Sequence, residues 1–96
     1  MITWEKIGNH TYNRYSGKAQ MCAILSTNGK LYPGVKVENA SFPLTISEFQ
    51  SAIFSCLSEG DTPQTLYLPS ESKQIVPQIW VDTYGLKVEY ITEIPN

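Results

Sequence analysis

The segment GVKVENASFPLTI, residues 34–46, is followed by SEFQSAIFSCLSEG, residues 47–60, and together they decide the fold. Ser47 is predicted to be the N-cap of a helix in the second segment, because Gln50 stands three residues later and completes a capping box. Apolar residues then recur at helical spacing, and Gly60 is predicted to end the helix. The residues expected to form its buried stripe are Ile46, Phe49, Ile53, Cys56 and Leu57.

A β-hairpin is predicted just before these segments. Residues 20–26 and 31–37 are both strand-like, and the Asn28-Gly29 pair between them favours a tight turn. Pro33-Gly34 inside the second strand indicates an edge position or a bulge, since proline cannot donate a hydrogen bond to a neighbouring strand.

The remaining elements alternate helix and strand. The resulting order, α-β-β-α-β-α-β, predicts a mixed sheet covered by helices, an α/β fold in a single domain over residues 1–96. The last helix is expected to carry Pro77 in its first turn and to end at Gly85. The elements outside the central segments are a helix from Trp4 to about Tyr12, a strand from Thr65 to Leu68, a helix marked by Ile75, Val76, Ile79 and Trp80, and a strand from Leu86 to Ile91.

Composition narrows the class of protein. Seven Lys and Arg against nine Asp and Glu give a net charge of −2, which argues against a nucleic-acid or anionic-membrane partner. No apolar run approaches the roughly 20 residues of a membrane span, and the N-terminus lacks a signal-peptide pattern. Two cysteines without framework spacing favour a reducing compartment, so we expect a cytoplasmic protein. A 96-residue chain has a thin core, which favours a homo-oligomer.

Several runs in the first two thirds of the chain resemble the cytidine deaminases. They are Tyr15-Ser16-Gly17, Ala23-Ile24-Leu25, Gly29, the segment 34–46 and Ser58-Glu59-Gly60. The resemblance extends from about Tyr12 to Gly60, and it implies a three-layer α/β/α fold with the element order given above. In that family a zinc-activated hydroxide attacks the cytosine ring while a glutamate transfers protons.

The positions that carry this chemistry in the family are replaced here. The family's Cys (or His)-Ala-Glu triplet falls on Ser47-Glu48-Phe49, so a hydroxyl stands at a zinc-ligand position and Phe49 stands at the proton-transfer position. The second pair of ligands falls on Gln74 and Pro77, and no Cys or His follows Cys56. The resemblance therefore implies a family member with no zinc, no cofactor and no deaminase activity.

Each replaced residue has a structural interpretation beside the functional one. Ser47 as a nucleophile would need an adjacent base, and the single histidine, His10, is far upstream, so the N-cap role is favoured. Glu48 is expected to be structural, because a shift of one residue turns its carboxylate about 100° around the helix, away from the family's metal cavity. Phe49 is expected to fill the space that zinc, its water and the glutamate occupy in the family.

The family's substrate-binding residues are also changed. Lys18 replaces a pocket phenylalanine and Lys36 replaces a ribose-binding asparagine, while the other ribose contact, Glu38, remains. Lys18, Lys36 and Glu38 are candidate binding residues for an anion or a nucleotide. The alternative is that both lysines are solvated surface residues, which is more common.

Three functions follow as hypotheses. The first is a binding or scaffold homo-oligomer, a dimer or tetramer, including a role as partner of an active deaminase. The alternative is a small-molecule binder that uses the remnant of the nucleoside site. The third is a residual hydrolase or deaminase of unknown substrate.

Overall fold

The strands of the computed structural model form one mixed sheet in the order β2-β1-β3-β4, and the model describes residues 2–8, 20–36, 46–72 and 74–95. β1 runs antiparallel to both β2 and β3, whereas β3 and β4 are parallel. The elements are α1 (Trp4–Gly8), β1 (Met21–Ser26), β2 (Leu31–Val35), α2 (Glu48–Ser58), β3 (Pro63–Pro69), α3 (Gln78–Tyr84) and β4 (Lys87–Ile91). The predicted order and the α/β class are confirmed.

The two faces of the sheet carry different helices. On one face α2 packs on a buried cluster that includes Cys22, Ile24 and Leu66, and the partly buried Trp80 of α3 packs against the same cluster. On the other face Ile7 of α1 packs with Ala23. Successive residues of a strand point to opposite faces, so one strand supplies both clusters. The result is three layers, with α2 and α3 on one side of the sheet and α1 on the other.

The hairpin has the predicted edge position. β2 is the outer strand, and its Pro33 is exposed. A Cβ at Gly34 would collide with the backbone oxygen of Glu48 and would lie 2.7 Å from Cβ of Ala52. Glycine at position 34 therefore allows α2 to approach β2 closely.

The turn of the hairpin is tied to the residues that follow α2. The Asp61 carboxylate accepts hydrogen bonds from Asn28 Nδ2 at 2.9 Å and from Tyr32 Oη at 3.2 Å. Lys30 Nζ pairs with Glu59 at 2.7 Å. These contacts hold the C-terminal end of α2 over the hairpin, which places its N-terminal end at the opposite end of β1.

The buried stripe of α2 is narrower than predicted. Phe49, Ile53 and Cys56 are buried as expected, but Ile46 is 46% exposed and Leu57 is 39% exposed, so their predicted burial is wrong. Ile46 precedes the N-cap and does not belong to the helix, and Leu57 lies about 100° around the helix from the buried Cys56. The helix ends at Ser58, two residues before Gly60.

The last helix begins later than predicted. Pro77 is its N-cap, with extended backbone angles, so Ile75 and Val76 lie outside the helix. A residue that precedes proline is disfavoured in the helical conformation, which accounts for the later start. Ile75 and Ile79 are 88% and 68% exposed and do not form the expected apolar face.

Other boundaries differ by small amounts or fall outside the described residues. Gly85 ends α3 as predicted, in a left-handed conformation with φ of 62°. β3 begins at Pro63, two residues earlier than expected, and β4 begins at Lys87, one residue later. The last four residues of the first predicted helix, 9–12, lie outside the described part of the chain. None of the described helices has the length and apolar character needed to cross a membrane.

Candidate functional site

The N-terminal end of α2 lies against the start of β1. The Cys22 thiol donates a hydrogen bond to the backbone oxygen of Glu48 over 3.3 Å. The Ser47 hydroxyl accepts from the Gln50 amide N–H at 3.1 Å, and Gln50 Oε1 accepts from the Ser47 N–H at 3.0 Å. The predicted capping box is confirmed, and the Ser47 hydroxyl is engaged in it.

Phe49 is part of the core beneath this helix end. Its side chain is 4% exposed and belongs to the buried cluster that contains Cys22 and Ile53. The phenyl ring of phenylalanine has no proton to transfer and no lone pair with which to bind a metal. The predicted core position of Phe49 is confirmed.

Gln74 reaches the same end of the sheet from the segment after β3. Its Nε2 donates to the backbone oxygen of Met21 at 3.0 Å and to Ser72 Oγ at 2.6 Å. Its Oε1 is buried and accepts no hydrogen bond from the described residues. Met21 and Cys22 are consecutive, so Gln74 and the α2 N-terminus meet adjoining residues of β1. Pro77, the other predicted position, caps α3 with no side-chain hydrogen bond.

Glu48 is buried at the start of α2, which the sequence did not predict. It is expected to have a structural role, and its side chain is only 3% exposed. Burial raises the pKa of the Glu48 carboxyl, while its own backbone N–H and the positive charge of Lys36 act to lower it. No feature of the sequence marks this burial, because a glutamate beside the buried Phe49 is normally assigned to the surface.

One of the three candidate ligand-binding residues can be placed. Lys36 follows β2, is partly buried and acts electrostatically on Glu48, so it stands near the N-terminus of α2 as predicted. Lys18 and Glu38 lie outside the described residues. The structure therefore brings Lys36 and Glu48 together and leaves the rest of the predicted anion site untested.

The residues at the four replaced positions do not fit a zinc ion. Structural and catalytic zinc is held by thiolate, imidazole and carboxylate groups. Ser47 offers a hydroxyl that already caps α2, Gln74 offers an amide that already bonds Met21, and Phe49 and Pro77 offer no donor. In the described ranges no group of three or more His, Cys, Asp or Glu side chains is arranged to hold a metal.

Replacement of Glu48 by glutamine is expected to stabilise the protein at pH 7. Because the folded-state pKa is raised, the protonated form of Glu48 contributes stability below the unfolded pKa of about 4.3. That contribution is lost as the pH rises through the folded-state pKa, because the buried carboxyl then ionises. The glutamine side chain of the variant stays neutral, so the variant does not lose this stability. Denaturant titrations at pH 7 and pH 4 should show the Gln variant more stable than the parent at pH 7, with a smaller gap at pH 4.

Replacement of Lys36 by glutamine should change the stability of the protein in the opposite direction. Lys36→Gln removes the positive charge that offsets Glu48 burial, so it should destabilise the protein at pH 7 and less so at pH 4. A Glu48→Gln variant that is less stable than the parent at pH 7 would show that the charged carboxylate is well compensated.

Comparisons with known proteins agree on one fold. No family model matches the chain. A stretch of 49 residues is 37% identical to the cytidine deaminase of Mycoplasma pneumoniae and covers 51% of this chain and 36% of that protein. The chain thus matches about a third of the length of this curated relative.

Solved structures extend the similarity over most of the chain. The cytidine deaminase of Mycobacterium tuberculosis has a TM-score of 0.73 and 22% identity, covering 88% of this chain and 76% of that one. The cytidine deaminase of Burkholderia pseudomallei has a TM-score of 0.67 and 26% identity, covering 80% of this chain and 68% of that one. The chain therefore has the fold of the cytidine deaminases and resembles them in sequence over about half of its length.

Proposed function

We propose that this chain is a deaminase-like protein without zinc and without deaminase activity, and that it acts as a binding or scaffold homo-oligomer. The observation that carries the proposal is the buried ring of Phe49 at the position where the resemblance expects the proton-transferring glutamate. A cytidine deaminase needs a carboxylate there, because protons must move while the hydroxide attacks the ring.

The other replacements support the same conclusion. A zinc site that loses one ligand can persist as a variant, but Ser47, Gln74 and Pro77 together supply no thiolate or imidazole. The Ser47 hydroxyl and the Gln74 amide are both engaged with neighbouring groups of the chain. These residues therefore perform structural roles in place of metal binding.

Filling the site with apolar atoms also has a thermodynamic consequence. A buried aromatic side chain contributes about 2 kcal/mol or more relative to an exposed one. Polar, strained active sites reduce stability, so a chain released from catalysis can gain stability at that position. Phe49 at the former catalytic position fits this exchange.

The cysteines and the size of the domain support a scaffold role in the cytoplasm. Cys22 and Cys56 are both free and buried, as is usual for proteins of reducing compartments. The small size of the domain favours association with further copies. An active deaminase is a second proposed partner, because it would have the same fold as this chain.

A second candidate function is the binding of a small anion or nucleotide. It is favoured by the position of Lys36 near the N-terminus of α2 and by the buried Oε1 of Gln74, which has no hydrogen-bond partner in the part of the chain that the structure describes. The negative charge of Glu48 opposes it, because a carboxylate beside Lys36 competes with an incoming anion. We therefore rank it below the scaffold role.

A deamination assay tests the main proposal. The purified chain, supplemented with zinc, is incubated with cytidine and the ultraviolet absorbance is followed, with the cytidine deaminase of Mycobacterium tuberculosis as positive control. We expect no turnover. Turnover that scales with the concentration of the chain and disappears in the presence of a chelator would contradict the proposal.

A thermal-shift panel of nucleosides and nucleotides separates the two candidate roles. A ligand at 100 times its dissociation constant adds about 2.7 kcal/mol of stability, which for a domain of this size raises Tm by roughly ten degrees or more. The scaffold role predicts a flat panel. A shift that Lys36→Ala abolishes would establish the binder instead.

A further inference from the structure

A cavity of about 450 Å³ lies between the start of α1 and the residues that follow β4. Its apolar lining comes from Ile2, Trp4 and Ile94, and its charged lining comes from Glu5 and Glu93. Binding sites for small molecules are concave, are lined mostly by apolar groups and have volumes of roughly 300–1,000 Å³. This cavity has a volume and a lining of that kind, and we call it the α1/β4 cavity.

The α1/β4 cavity lies away from the residues that replace the family's catalytic groups. Ile2, Trp4 and Ile94 belong to the apolar cluster on the α1 side of the sheet. Phe49 belongs to the cluster on the α2 side. Neither of the two candidate functions uses the cavity, so a ligand bound there would be a further property of the chain.

Contacts within the chain fix the walls of the cavity. The Trp4 indole donates a hydrogen bond from Nε1 to the backbone oxygen of Ile91 over 3.2 Å, which ties the start of α1 to the end of β4. Thr3 caps α1, because its side-chain oxygen accepts from the Lys6 N–H at 3.2 Å. Ile94 is buried and holds the opposite wall. A ligand would therefore enter a cavity that is already formed, and little ordering of the walls would oppose binding.

The charge of the lining is negative. Glu5 and Glu93 are exposed, and within the described ranges neither carboxylate takes part in an ion pair or a hydrogen bond. None of the seven lining residues is basic, and Lys6, which follows Glu5 in the chain, is not part of the lining. Two carboxylates in a concave site attract a cation and repel an anion, and walls of low dielectric constant strengthen both effects.

The indole ring in the lining favours an organic cation over a metal ion. Tryptophan is the aromatic side chain that attracts ammonium and guanidinium groups most strongly through its ring face. A hard metal ion instead requires several oxygen ligands around one small centre. In the part of the chain that the structure describes, no group of three or more His, Cys, Asp or Glu side chains could hold one. A metal ion would also leave the apolar lining from Ile2 and Ile94 without a partner.

We infer that the α1/β4 cavity binds a small organic cation, in which an ammonium group is attached to an apolar body. The ammonium group lies beside Glu5 and Glu93, and the apolar body packs on Trp4 and the two isoleucines. The inference does not depend on the scaffold role, because a single chain supplies the whole lining. It also differs from the second candidate function, which requires an anion on the α2 side of the sheet.

The test uses phenethylammonium as the probe, because it joins a phenyl ring to a primary ammonium group at pH 7. The chain has two tryptophans, so a nitrogen-15 spectrum of the untagged protein contains two indole N–H signals. Trp80→Phe assigns them, or Trp4→Phe if the first variant does not fold. We expect the Trp4 signal to shift saturably with a Kd on the order of 1 mM. The Trp80 signal should stay in place, because Trp80 packs on the α2 side.

Matched probes test the charge and the size of the ligand. 2-Phenylethanol keeps the apolar body without the charge, so it should bind about fivefold or more weakly, and the anion 3-phenylpropionate should not bind. Equal affinity for phenethylammonium and 2-phenylethanol would overturn the assignment of a cation. Tighter binding of lysine blocked at both backbone ends would assign the cavity to a protein side chain and overturn the small-molecule ligand.

Charge variants test the location of the site. Glu5→Gln/Glu93→Gln should raise the Kd of phenethylammonium by about fivefold or more, because two partly solvated ion pairs are lost. Asp82→Asn removes a carboxylate from an exposed position of α3 and should leave this Kd unchanged. Circular dichroism establishes that each variant is folded. An equal rise of Kd in Asp82→Asn, or a parent whose Trp4 signal does not respond to about 20 mM probe, would overturn the site.

Discussion

Replacing Phe49 with alanine is expected to lower the free energy of unfolding by about 3–5 kcal/mol, as truncation of a buried aromatic side chain does. Phe49 is 4% exposed and lies among buried residues of α2 and β1, so the variant leaves a cavity that the sheet cannot close. In a domain of this size the loss should lower Tm by more than about ten degrees. Urea titration at pH 7 measures it directly.

Ile46 provides the matched control for this prediction. It is an apolar residue three positions earlier, but it is 46% exposed, so Ile46→Ala should change stability by no more than about 0.5 kcal/mol. Equal losses of unfolding free energy in Phe49→Ala and Ile46→Ala would contradict the burial of Phe49 in the core.

Phe49→Glu separates a core residue from a dormant catalytic position. A carboxylate at this buried position has no partner and should destabilise the protein without producing deaminase activity. A soluble Phe49→Glu variant with the stability of the parent would contradict the burial of this side chain and the register that places it at the family's glutamate.

Gly34→Ala should be the most damaging single-methyl change on the sheet. The added Cβ would collide with the backbone oxygen of Glu48 and would lie 2.9 Å from the backbone nitrogen of Ala52. Because both are helix backbone atoms, α2 must move away from β2, and overpacking of this kind costs about 1–3 kcal/mol or more. Urea titration and the yield of soluble protein are the measurements.

A double-mutant cycle identifies the cause of that loss. Cβ of Ala52 is 2.7 Å from the added methyl, so Ala52→Gly relieves part of the overlap while costing about 1 kcal/mol on its own as a glycine in a helix. The double variant should therefore lose less than the sum of the two single losses. Strict additivity would mean that α2 and β2 are not in close contact at this point.

Local signals in the sequence were sufficient for the layout of the fold. The capping box of Ser47 and Gln50, the Asn28-Gly29 turn and the left-handed Gly85 each report a backbone geometry that depends on neighbouring residues alone. Each of them is found where it was predicted. The same holds for Pro33 on an edge strand, because its missing N–H excludes it from the centre of a sheet.

Burial could not be predicted as well, because it depends on what packs against an element. Ile75 and Ile79 were expected to mark the apolar side of a helix, and both are exposed. The sequence predicted a structural role for Glu48 but not its burial, and its side chain is 3% exposed at the end of α2 that closely approaches Gly34. Periodicity shows which residues share a side of a helix, but it does not show which side meets the sheet.

The sequence singled out the residues that replace the family's catalytic residues, but it did not show that Lys36 lies near a buried Glu48. Ser47, Phe49 and Gln74 lie near the start of β1 and the N-terminus of α2, each with a structural contact, and their correspondence to the family's catalytic positions stays a prediction. The proximity of Lys36 to a buried Glu48 has no counterpart in the sequence pattern, since the two residues are twelve positions apart in the sequence. Such a pair is visible only after folding brings β2 and α2 together.

The zinc content of the purified chain tests the central claim most directly. The untagged protein is produced in zinc-supplemented medium, dialysed and subjected to elemental analysis, and its Tm is measured with and without a chelator. We predict no stoichiometric zinc and a Tm that the chelator does not change, because Ser47, Phe49, Gln74 and Pro77 offer no ligand set. One zinc per chain, removed by the chelator with a fall in Tm, would contradict the account.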